Sequence, residues 1–297
     1  MAPVRTPLSH LLSESLAMEH FDLCVIGGGP AGYAAAMRAI DLGKRTVLIE
    51  RDRIGGTGIF NGALASKTLW ELSQRVASAN EVVRTRGREP FRLSWEEIER
   101  TMNEALFERK YLYACHLQLL DPPNGPGNGL FRHLRGNARF ITPHQVLIER
   151  GGEQQVISAA HTIIATGSRP RTLPGVITDE QRILSSDGIF RITDLPSSIV
   201  IVGAGVIGCE FATILSNFGR TTVHLIDRAD RILPFEDADV SELIAQGLER
   251  KGVIIHKNAK LEHLAATAEG VEYAISYADG RTATFNVEKA LLSVGRV

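Results

Sequence analysis

The sequence lacks an excess of charge of either sign. Its 297 residues include 33 lysines and arginines against 34 aspartates and glutamates, so the formal net charge is −1. Proteins that bind nucleic acid or anionic membrane surfaces usually carry a basic excess, and this chain has none. No uninterrupted apolar stretch reaches the length of a membrane-spanning helix. The composition therefore predicts neither a nucleic-acid partner nor a membrane protein.

Cysteine is also scarce. Cys24, Cys115 and Cys209 stand far apart, with no C-x-x-C motif, no zinc-ligand spacing and no even set suited to disulfides. The sequence therefore predicts no metal site, and a reducing cytoplasm is the expected location. Cys24 and Cys209 are expected to be buried, inert thiols. Cys115 beside His116 is expected to be a surface or packing residue on a helix.

The chain is long enough for about two domains, since one domain takes roughly 100–200 residues. Its content of 44% apolar and 23% charged residues is ordinary for globular proteins. The first 17 residues lack the apolar core of a secretory signal. We therefore expect residues 1–19 to be an N-terminal extension outside the fold.

One internal repeat dominates the sequence. Residues 22–50 and 198–227 each contain an apolar run, a G-x-G-x-x-G segment, a helical pattern, a glycine and a β-branched run that ends in an acid. The glycines and closing acids are Gly27, Gly29, Gly32 and Glu50 in the first copy, and Gly203, Gly205, Gly208 and Asp227 in the second. A single such segment is weak evidence, and two ordinary α/β turns are the alternative reading. The recurrence of every part in order favours two dinucleotide sites.

The physics of a dinucleotide site accounts for this spacing. The first glycine permits a tight turn after a buried strand, the second lets backbone approach a pyrophosphate, and the third lets the helix pack on the strand. Free N–H groups at the helix start face the anion, and Pro30 lies there at no hydrogen-bonding cost. Gly43 and Gly219 fall where the helices should end. The closing acid can accept hydrogen bonds from a ribose diol.

The segment between the two copies also contains readable signals. Ser94-Trp-Glu-Glu is a capping box, and it predicts an amphipathic helix from Trp95 towards Leu120. Residues 121–129 predict a loop, and residues 161–170 predict an apolar strand that ends in small residues.

Five segments in order give the chain a family resemblance. They are the first fingerprint with Glu50, GGTGIFNGALASK at 55–67, ATGSRP at 165–170, GAGVIGCE at 203–210 with Asp227, and LLSVGR at 291–296. The chain resembles the pyridine nucleotide-disulfide oxidoreductases, in particular those of the dihydrolipoamide dehydrogenase and soluble pyridine-nucleotide transhydrogenase type. The resemblance covers about residues 20–297.

The resemblance implies an α/β fold with two Rossmann-like dinucleotide-binding domains, and we expect the family's dimerisation domain to be absent from this chain. Residues 20–168 are then an incomplete FAD-binding domain, 169–197 a linker and 198–297 an NAD(P)-binding domain. The implied cofactors are FAD and NAD, with NADP as the alternative. The implied chemistry is hydride transfer from the nicotinamide to the flavin.

The resemblance also assigns site residues. Lys67 matches the family lysine near flavin N5, and Glu210 matches its carboxylate partner, so these two are the expected catalytic residues. A fixed ammonium stabilises the anionic reduced flavin, and the carboxylate keeps that ammonium charged. A solvated surface lysine is the alternative for Lys67. With Lys67, the residues expected to bind FAD are Gly27, Gly28, Gly29, Pro30, Ala31, Gly32, Glu50, Ala138, Thr166, Gly167 and Ser168. Those expected to bind the nicotinamide nucleotide are Gly203, Ala204, Gly205, Val206, Ile207, Gly208, Asp227, Leu261 and Gly295.

Two departures from the family pattern shape the expected function. Gly58 and Ala63 occupy the positions of the family's redox cysteines, so no dithiol can relay electrons. The sequence stops at Val297, before the family's further FAD-binding piece, its dimerisation domain and its catalytic His-Glu pair. We therefore expect a fragment, a split subunit or a degenerate enzyme, and the family homodimer is in doubt.

These points predict an FAD-dependent oxidoreductase that passes hydride from NAD(P)H to FAD and on to an unidentified, non-disulfide acceptor, as a transhydrogenase or diaphorase does. The alternative is a catalytically impaired dinucleotide-binding module, or a fragment of a dihydrolipoamide dehydrogenase-like enzyme. Asp227 favours NAD because an acid there accepts the ribose 2′-hydroxyl, whereas Arg228 and Arg231 keep NADP open.

Overall fold

The computed structural model describes residues 18–122 and 129–297. Residues 1–17 of the expected extension and most of the predicted loop over 121–129 lie outside the described residues. The chain divides into two compact units. The first combines the chain up to Gly56 with Lys110–Gly167, and the second combines Thr57–Arg109 with Ser168–Val297. The domain boundaries expected from the sequence stay a prediction.

The first unit is built on a six-stranded sheet in the order β3-β2-β1-β6-β5-β4. Its four strands β3, β2, β1 and β6 pair in parallel, and β6, β5 and β4 form an antiparallel meander. The strands are β1 Glu19–Ile26, β2 Thr46–Glu50, β3 Phe131–Arg135, β4 Asn137–Thr142, β5 Gln145–Arg150 and β6 Glu153–Ile164. Glu19, the last residue of the expected extension, is the first residue of β1 and therefore belongs to the sheet. Its carboxylate also forms an ion pair with Arg45 at 2.7 Å.

The central strand β1 is buried because it has neighbours on both sides. Phe21, Cys24 and Val25 are fully buried, as expected for a parallel strand covered on both faces. Helix α1, Pro30–Asp41, follows directly, with Gly29 as its N-cap. Gly43 follows this helix with φ +70°, a left-handed conformation that favours glycine.

Three helices follow β2. They are α2 Gly56–Phe60, α3 Ala63–Thr85 and α4 Trp95–Leu120. The predicted capping box at the start of α4 is confirmed, since the Ser94 amide donates to Glu97 Oε2 at 2.8 Å and the Glu97 amide donates to Ser94 Oγ at 3.3 Å. The helix ends at Leu120, as its periodicity predicts.

The second unit contains a five-stranded parallel sheet and a three-stranded antiparallel sheet. Their orders are β10-β9-β8-β14-β7 and β11-β12-β13. The strands are β7 Ile183–Ser185, β8 Ser198–Val202, β9 Thr222–Ile226, β10 Ile254–His256, β11 Ala259–Ala266, β12 Val271–Tyr277, β13 Thr282–Val287 and β14 Lys289–Leu292; the helices are α5 Val206–Phe218 and α6 Ala238–Arg250.

The stretch expected to be a linker contributes to this sheet. Ile183 and Leu184 of β7 are buried, and the strand pairs in parallel with β14. A short 3-10 helix, Gly188–Arg191, follows. Part of residues 169–197 is therefore structured, because its short apolar run completes a sheet edge.

The predicted fold class is confirmed. The fingerprints connect β1 to α1 and β8 to α5, and both sheets have the parallel strands of Rossmann-like units. Among the described residues, no helix is both long enough and apolar enough to cross a membrane.

Candidate functional site

The first fingerprint needs glycine at two positions for packing. A Cβ at Gly27, where φ is +107°, would lie 2.2 Å from the Ala165 carbonyl oxygen. A Cβ at Gly32 would lie 1.8 Å from the Gly27 carbonyl oxygen, so only glycine lets α1 pack this closely on the strand. A Cβ at Gly29 would meet nothing within 4 Å. The position beside the Gly29 Cα is therefore open.

Glu50 is anchored beside this turn. Its Oε2 accepts a hydrogen bond from the Gly28 amide at 2.6 Å, and its Oε1 accepts one from the Asp52 amide at 2.7 Å. A carboxylate has about four lone-pair sites, so two amide donors leave capacity for two further hydrogen bonds. Glu50 can therefore accept hydrogen bonds from a ribose diol while its position is fixed by backbone.

The other residues expected to bind FAD lie on different elements. Pro30 and Ala31 lie in the first turn of α1. Ala138 lies in β4. The residue before β4, Gly136, donates its amide to the Glu50 carbonyl oxygen at 3.0 Å, which holds the start of this strand beside the end of β2. Thr166 and Gly167 follow β6 in the first unit.

Ser168 differs from the others, because it belongs to the second unit and already has a partner there. The Arg296 guanidinium donates to Ser168 Oγ at 2.9 Å and to its carbonyl oxygen at 2.7 Å. A flavin contact from Ser168 would therefore have to share these oxygens with Arg296.

The second fingerprint repeats the arrangement of the first. A Cβ at Gly208 would lie 1.9 Å from the Gly203 carbonyl oxygen, whereas one at Gly205 would meet nothing within 4 Å. Asp227 Oδ2 accepts a hydrogen bond from the Ala204 amide at 2.6 Å, and its Oδ1 accepts one from Ala229 at 2.9 Å. The acid of each copy is thus held by the amide between the first two glycines.

A cleft of about 960 Å³ opens beside this fingerprint. Its volume falls within the range of small-molecule and cofactor sites. Seven of the nine residues expected to bind the nicotinamide nucleotide line it: Gly203, Gly205, Val206, Ile207, Asp227, Leu261 and Gly295. Ala204 and Gly208 are buried in the turn and the helix behind it.

Sequence reasoning missed several residues of this cleft. Phe235 lines it with a side chain that is 99% exposed, and His263 lines it from β11. Phe235 follows Pro234 in a loop without periodicity, so the sequence offered no motif that marks it. An exposed aromatic ring in a nucleotide-sized cleft is a natural stacking surface for a base.

The two arginines near Asp227 have different roles. Arg231 donates to the carbonyl oxygens of Pro234 and Glu236 at 3.0 and 3.2 Å, so its guanidinium stabilises the loop. Arg228 lines the cleft beside Asp227 and is exposed. Of the two, only Arg228 lines the cleft.

Lys67 and Glu210 form an ion pair between α3 and α5. Lys67 Nζ lies 2.5 Å from Glu210 Oε1, and Ser66 Oγ donates to the same oxygen at 3.2 Å. The Lys67 side chain is 66% exposed, whereas that of Glu210 is 15% exposed. The ammonium is therefore accessible and yet held by a mostly buried carboxylate.

Neither α2 nor α3, the helices that lead to Lys67 and carry it, contains a cysteine. Gly58 lies within α2, and Ala63 begins α3 after its N-cap Gly62. Cys24 and Cys209 are buried, and desolvation raises the pKa of each thiol to about 12, with Asp227 contributing at Cys209. The expectation that both are buried is confirmed.

Cys115 lies on α4 with intermediate exposure, and all three cysteines are free. The neighbouring His116 Nδ1 lies 2.5 Å from the Tyr33 hydroxyl, which makes it a packing residue of the first unit. In the described parts of the chain, no three side chains of the metal-binding types come together.

The fold and the two fingerprint turns define a protein with two Rossmann-like units. The chain belongs to the family described as pyridine nucleotide-disulphide oxidoreductase, whose family model matches residues 21–297. Members of this family and the relatives below use FAD and NAD(P)H.

Among the curated relatives is a dihydrolipoyl dehydrogenase of Bacillus subtilis, 35% identical over 287 residues, which cover 93% of this chain and 58% of the relative. A soluble pyridine nucleotide transhydrogenase of Mycobacterium bovis is 35% identical over 235 residues, which cover 76% of this chain and 47% of that protein. The chain thus spans little more than half the length of the curated relatives it matches.

Solved structures of flavoproteins also superpose on most of this chain. LpdA from Mycobacterium tuberculosis superposes with a TM-score of 0.78 at 26% identity, over 94% of this chain and 59% of that protein. The HOCl-induced flavoprotein disulfide reductase RclA from Escherichia coli gives 0.74 at 26% identity, over 93% and 56%.

Proposed function

We propose that this protein is an FAD-dependent oxidoreductase that takes hydride from NAD(P)H and delivers electrons to a non-disulfide acceptor. One observation carries the proposal: the Lys67–Glu210 ion pair is formed, while Gly58 and Ala63 stand where the family has its redox cysteines. A site that retains the charge partner of a flavin but has no dithiol fits direct electron transfer from the flavin.

The residues divide the binding work between the two fingerprints. The first turn, with Glu50, binds the adenosine half of FAD, and its open position at Gly29 admits the pyrophosphate. The cleft beside the second turn binds the nicotinamide nucleotide, with Asp227 on the adenosine ribose. When bound, FAD supplies the hydride acceptor and the electron carrier of the reaction.

Lys67 and Glu210 act by charge. The accessible ammonium of Lys67 stabilises negative charge that develops on a neighbouring group, and such stabilisation is strongest where the charged group is fixed in advance. Glu210 fixes it, because its carboxylate is mostly buried and accepts a second hydrogen bond from Ser66. Suitable acceptors are quinones, dyes, oxygen or a second nicotinamide nucleotide.

The second candidate function is a catalytically impaired dinucleotide-binding module, or a fragment of a dihydrolipoamide dehydrogenase-like enzyme. The residues at the positions of the family's redox cysteines favour it, since Gly58 and Ala63 leave the site without a dithiol. A fragment of this kind would lack the family's dimerisation region, so we do not propose a homodimer. A cytoplasmic location belongs to the proposal as well, and the three unpaired thiols support it.

Steady-state turnover tests the proposed function. With excess FAD, the protein should oxidise NADH with a quinone as acceptor, whereas NAD reduction by dihydrolipoamide should stay at background. Robust turnover with dihydrolipoamide would contradict the non-disulfide assignment. Absence of turnover with every acceptor, combined with measurable NADH binding, would favour the binding module.

A further inference from the structure

Two polar contacts join α3 to α5, and in both contacts the paired residues are the same number of positions apart in the sequence. Ser66 Oγ donates to Glu210 Oε1 at 3.2 Å, and Asn217 Nδ2 donates to Ser73 Oγ at 3.1 Å. Both pairs are separated by 144 residues, so the second contact follows the first by the same number of residues on both helices. This interval is close to two helical turns, or about 10 Å. The two helices therefore run parallel in one defined register.

The second contact is buried. Ser73 is fully buried, and Asn217 is 5% exposed. Ser73 Oγ also donates to the Trp70 carbonyl at 2.7 Å, and Asn217 Oδ1 accepts from Lys251 Nζ at 2.6 Å. Lys251 and Trp70 would keep their bonds if α3 slid along α5, but the buried Nδ2 donor of Asn217 would lose its Ser73 acceptor. An unpaired buried donor costs free energy.

The apolar part of the same interface does not select a register as strongly. Ala65, Leu69 and Val76 of α3 share one core cluster with Ala212 and Ile214 of α5. Small and aliphatic side chains can pack in more than one alignment, whereas a polar pair within an apolar seam favours the alignment that satisfies it.

The Lys67–Glu210 ion pair stands at the other end of this seam. The Lys67 side chain is mostly exposed and loses entropy when the ion pair forms, so the geometry of the pair follows the helices that carry it. We propose that Asn217 is a positioning residue for Lys67: through Ser73 it fixes the register of α3 against α5 and keeps the Lys67 ammonium on Glu210, while Lys251 holds the Asn217 amide in place. The role of the ion pair in stabilising negative charge rests on the proposed function, whereas its positioning by Asn217 does not.

Residue-resolved acylation of the whole chain tests this inference. The rate at which an acetylating ester modifies Lys67, followed by mass spectrometry, reports on its ion pair, and Glu210→Gln gives the rate without that pair. Asn217→Leu should raise the Lys67 rate to the Glu210→Gln level, by roughly two- to fivefold for a partly exposed pair. Asn217→Asp should keep the slow wild-type rate, because its carboxylate accepts from Lys251 and from the Ser73 hydroxyl once that hydroxyl turns away from the Trp70 carbonyl.

Leu225→Ala is the matched control. Leu225 is fully buried in the same core cluster, so its truncation lowers the free energy of unfolding without touching Ser73 or Asn217. Its Lys67 rate should equal that of the wild type. If Asn217→Leu does not fold, Ser73→Ala removes only the hydroxyl and should show the same faster acylation.

Three results would overturn the inference: an unchanged Lys67 rate in the Asn217 or Ser73 variant, an equal rise in Leu225→Ala, or equal rates in wild type and Glu210→Gln. None of these measurements uses flavin or turnover. A positive labelling result in a protein that fails to oxidise NADH would therefore contradict the proposed function alone.

Discussion

Glu50 Oε2 lies 2.6 Å from the amide nitrogen of Gly28, so the acid that closes the first repeat is anchored to the fingerprint that opens it. Asp227 and Ala204 repeat the contact at 2.6 Å in the second copy. The repeat in the sequence is thus a repeat in hydrogen bonding, and it holds a carboxylate beside each turn where a ribose is expected.

Glu50→Ala should weaken FAD binding. Loss of a hydrogen bond to a charged acceptor costs about 1.5–3 kcal/mol, so the dissociation constant should rise roughly tenfold or more. Titration of the purified chain with FAD, followed by flavin fluorescence, measures this. Asp52→Ala is the control, since it changes an exposed carboxylate two residues away. An unchanged dissociation constant in Glu50→Ala would remove the FAD assignment from the first unit.

Asp227 should make the protein prefer NADH to NADPH. Its carboxylate accepts the ribose 2′-hydroxyl and repels a 2′-phosphate, which corresponds to about tenfold or more in affinity. Asp227→Ala should reduce the difference between the NADH and NADPH dissociation constants. Asp230→Ala, on the same loop, should leave that difference unchanged. Calorimetric titration with both nucleotides decides the matter. Equal or tighter NADPH binding by the wild type would overturn the preference and support a transhydrogenase, which must accept both nucleotides.

Only one thiol should react in the native protein. The pKa of Cys24 and of Cys209 is raised to about 12 by burial, so at pH 8 both stay protonated and shielded. Cys115 is partly exposed. A chromogenic disulfide reagent should therefore detect Cys115 alone before denaturation and all three cysteines afterwards. Cys115→Ser should abolish the native signal; fast native labelling of Cys24 or Cys209 would contradict the structure.

The free energy of unfolding should fall as the pH drops from about 6.5 towards 4. Desolvation, with a smaller contribution from His224, lowers the pKa of His256 from 6.5 to about 4. Between these values the unfolded chain binds a proton that the folded chain excludes, so acidification favours unfolding; above 6.5 the effect vanishes. The His256 ring also contacts Tyr277 through a 2.7 Å hydrogen bond.

Denaturant titrations at a series of pH values measure this slope. His256→Gln should make the slope shallower, because one group that takes up a proton on unfolding is gone. His224 and His133, whose pKa values are also lowered by desolvation, keep part of the slope. His263→Gln is the control, since that imidazole is 56% exposed. A slope that is identical in the wild type and His256→Gln would show that His256 does not couple folding to protonation.

The sequence predicts the fingerprints well and the rest of the cleft poorly. Gly27 and Gly203 could be predicted because a side chain at either position would collide with neighbouring backbone, so the turn requires glycine. Phe235 has no such signature, since an exposed ring in a loop obeys no periodicity. The edge strand β7 is three residues long, too short for alternation to show. The Ser73–Asn217 contact joins positions 144 residues apart, which only the folded chain brings together.

The visible absorbance spectrum of the protein, before and after anaerobic addition of NADH, tests the central claim most directly. After incubation with FAD and removal of the excess, the protein should retain flavin, and NADH should bleach the flavin band without a thiol substrate. Lys67→Ala should retain the flavin and bind NADH but bleach more slowly, because its charge matters most as the flavin becomes anionic. Arg75→Ala, on the same helix, should bleach at the wild-type rate. A colourless protein that still binds NADH, or a flavin band that NADH leaves unchanged, would contradict the account.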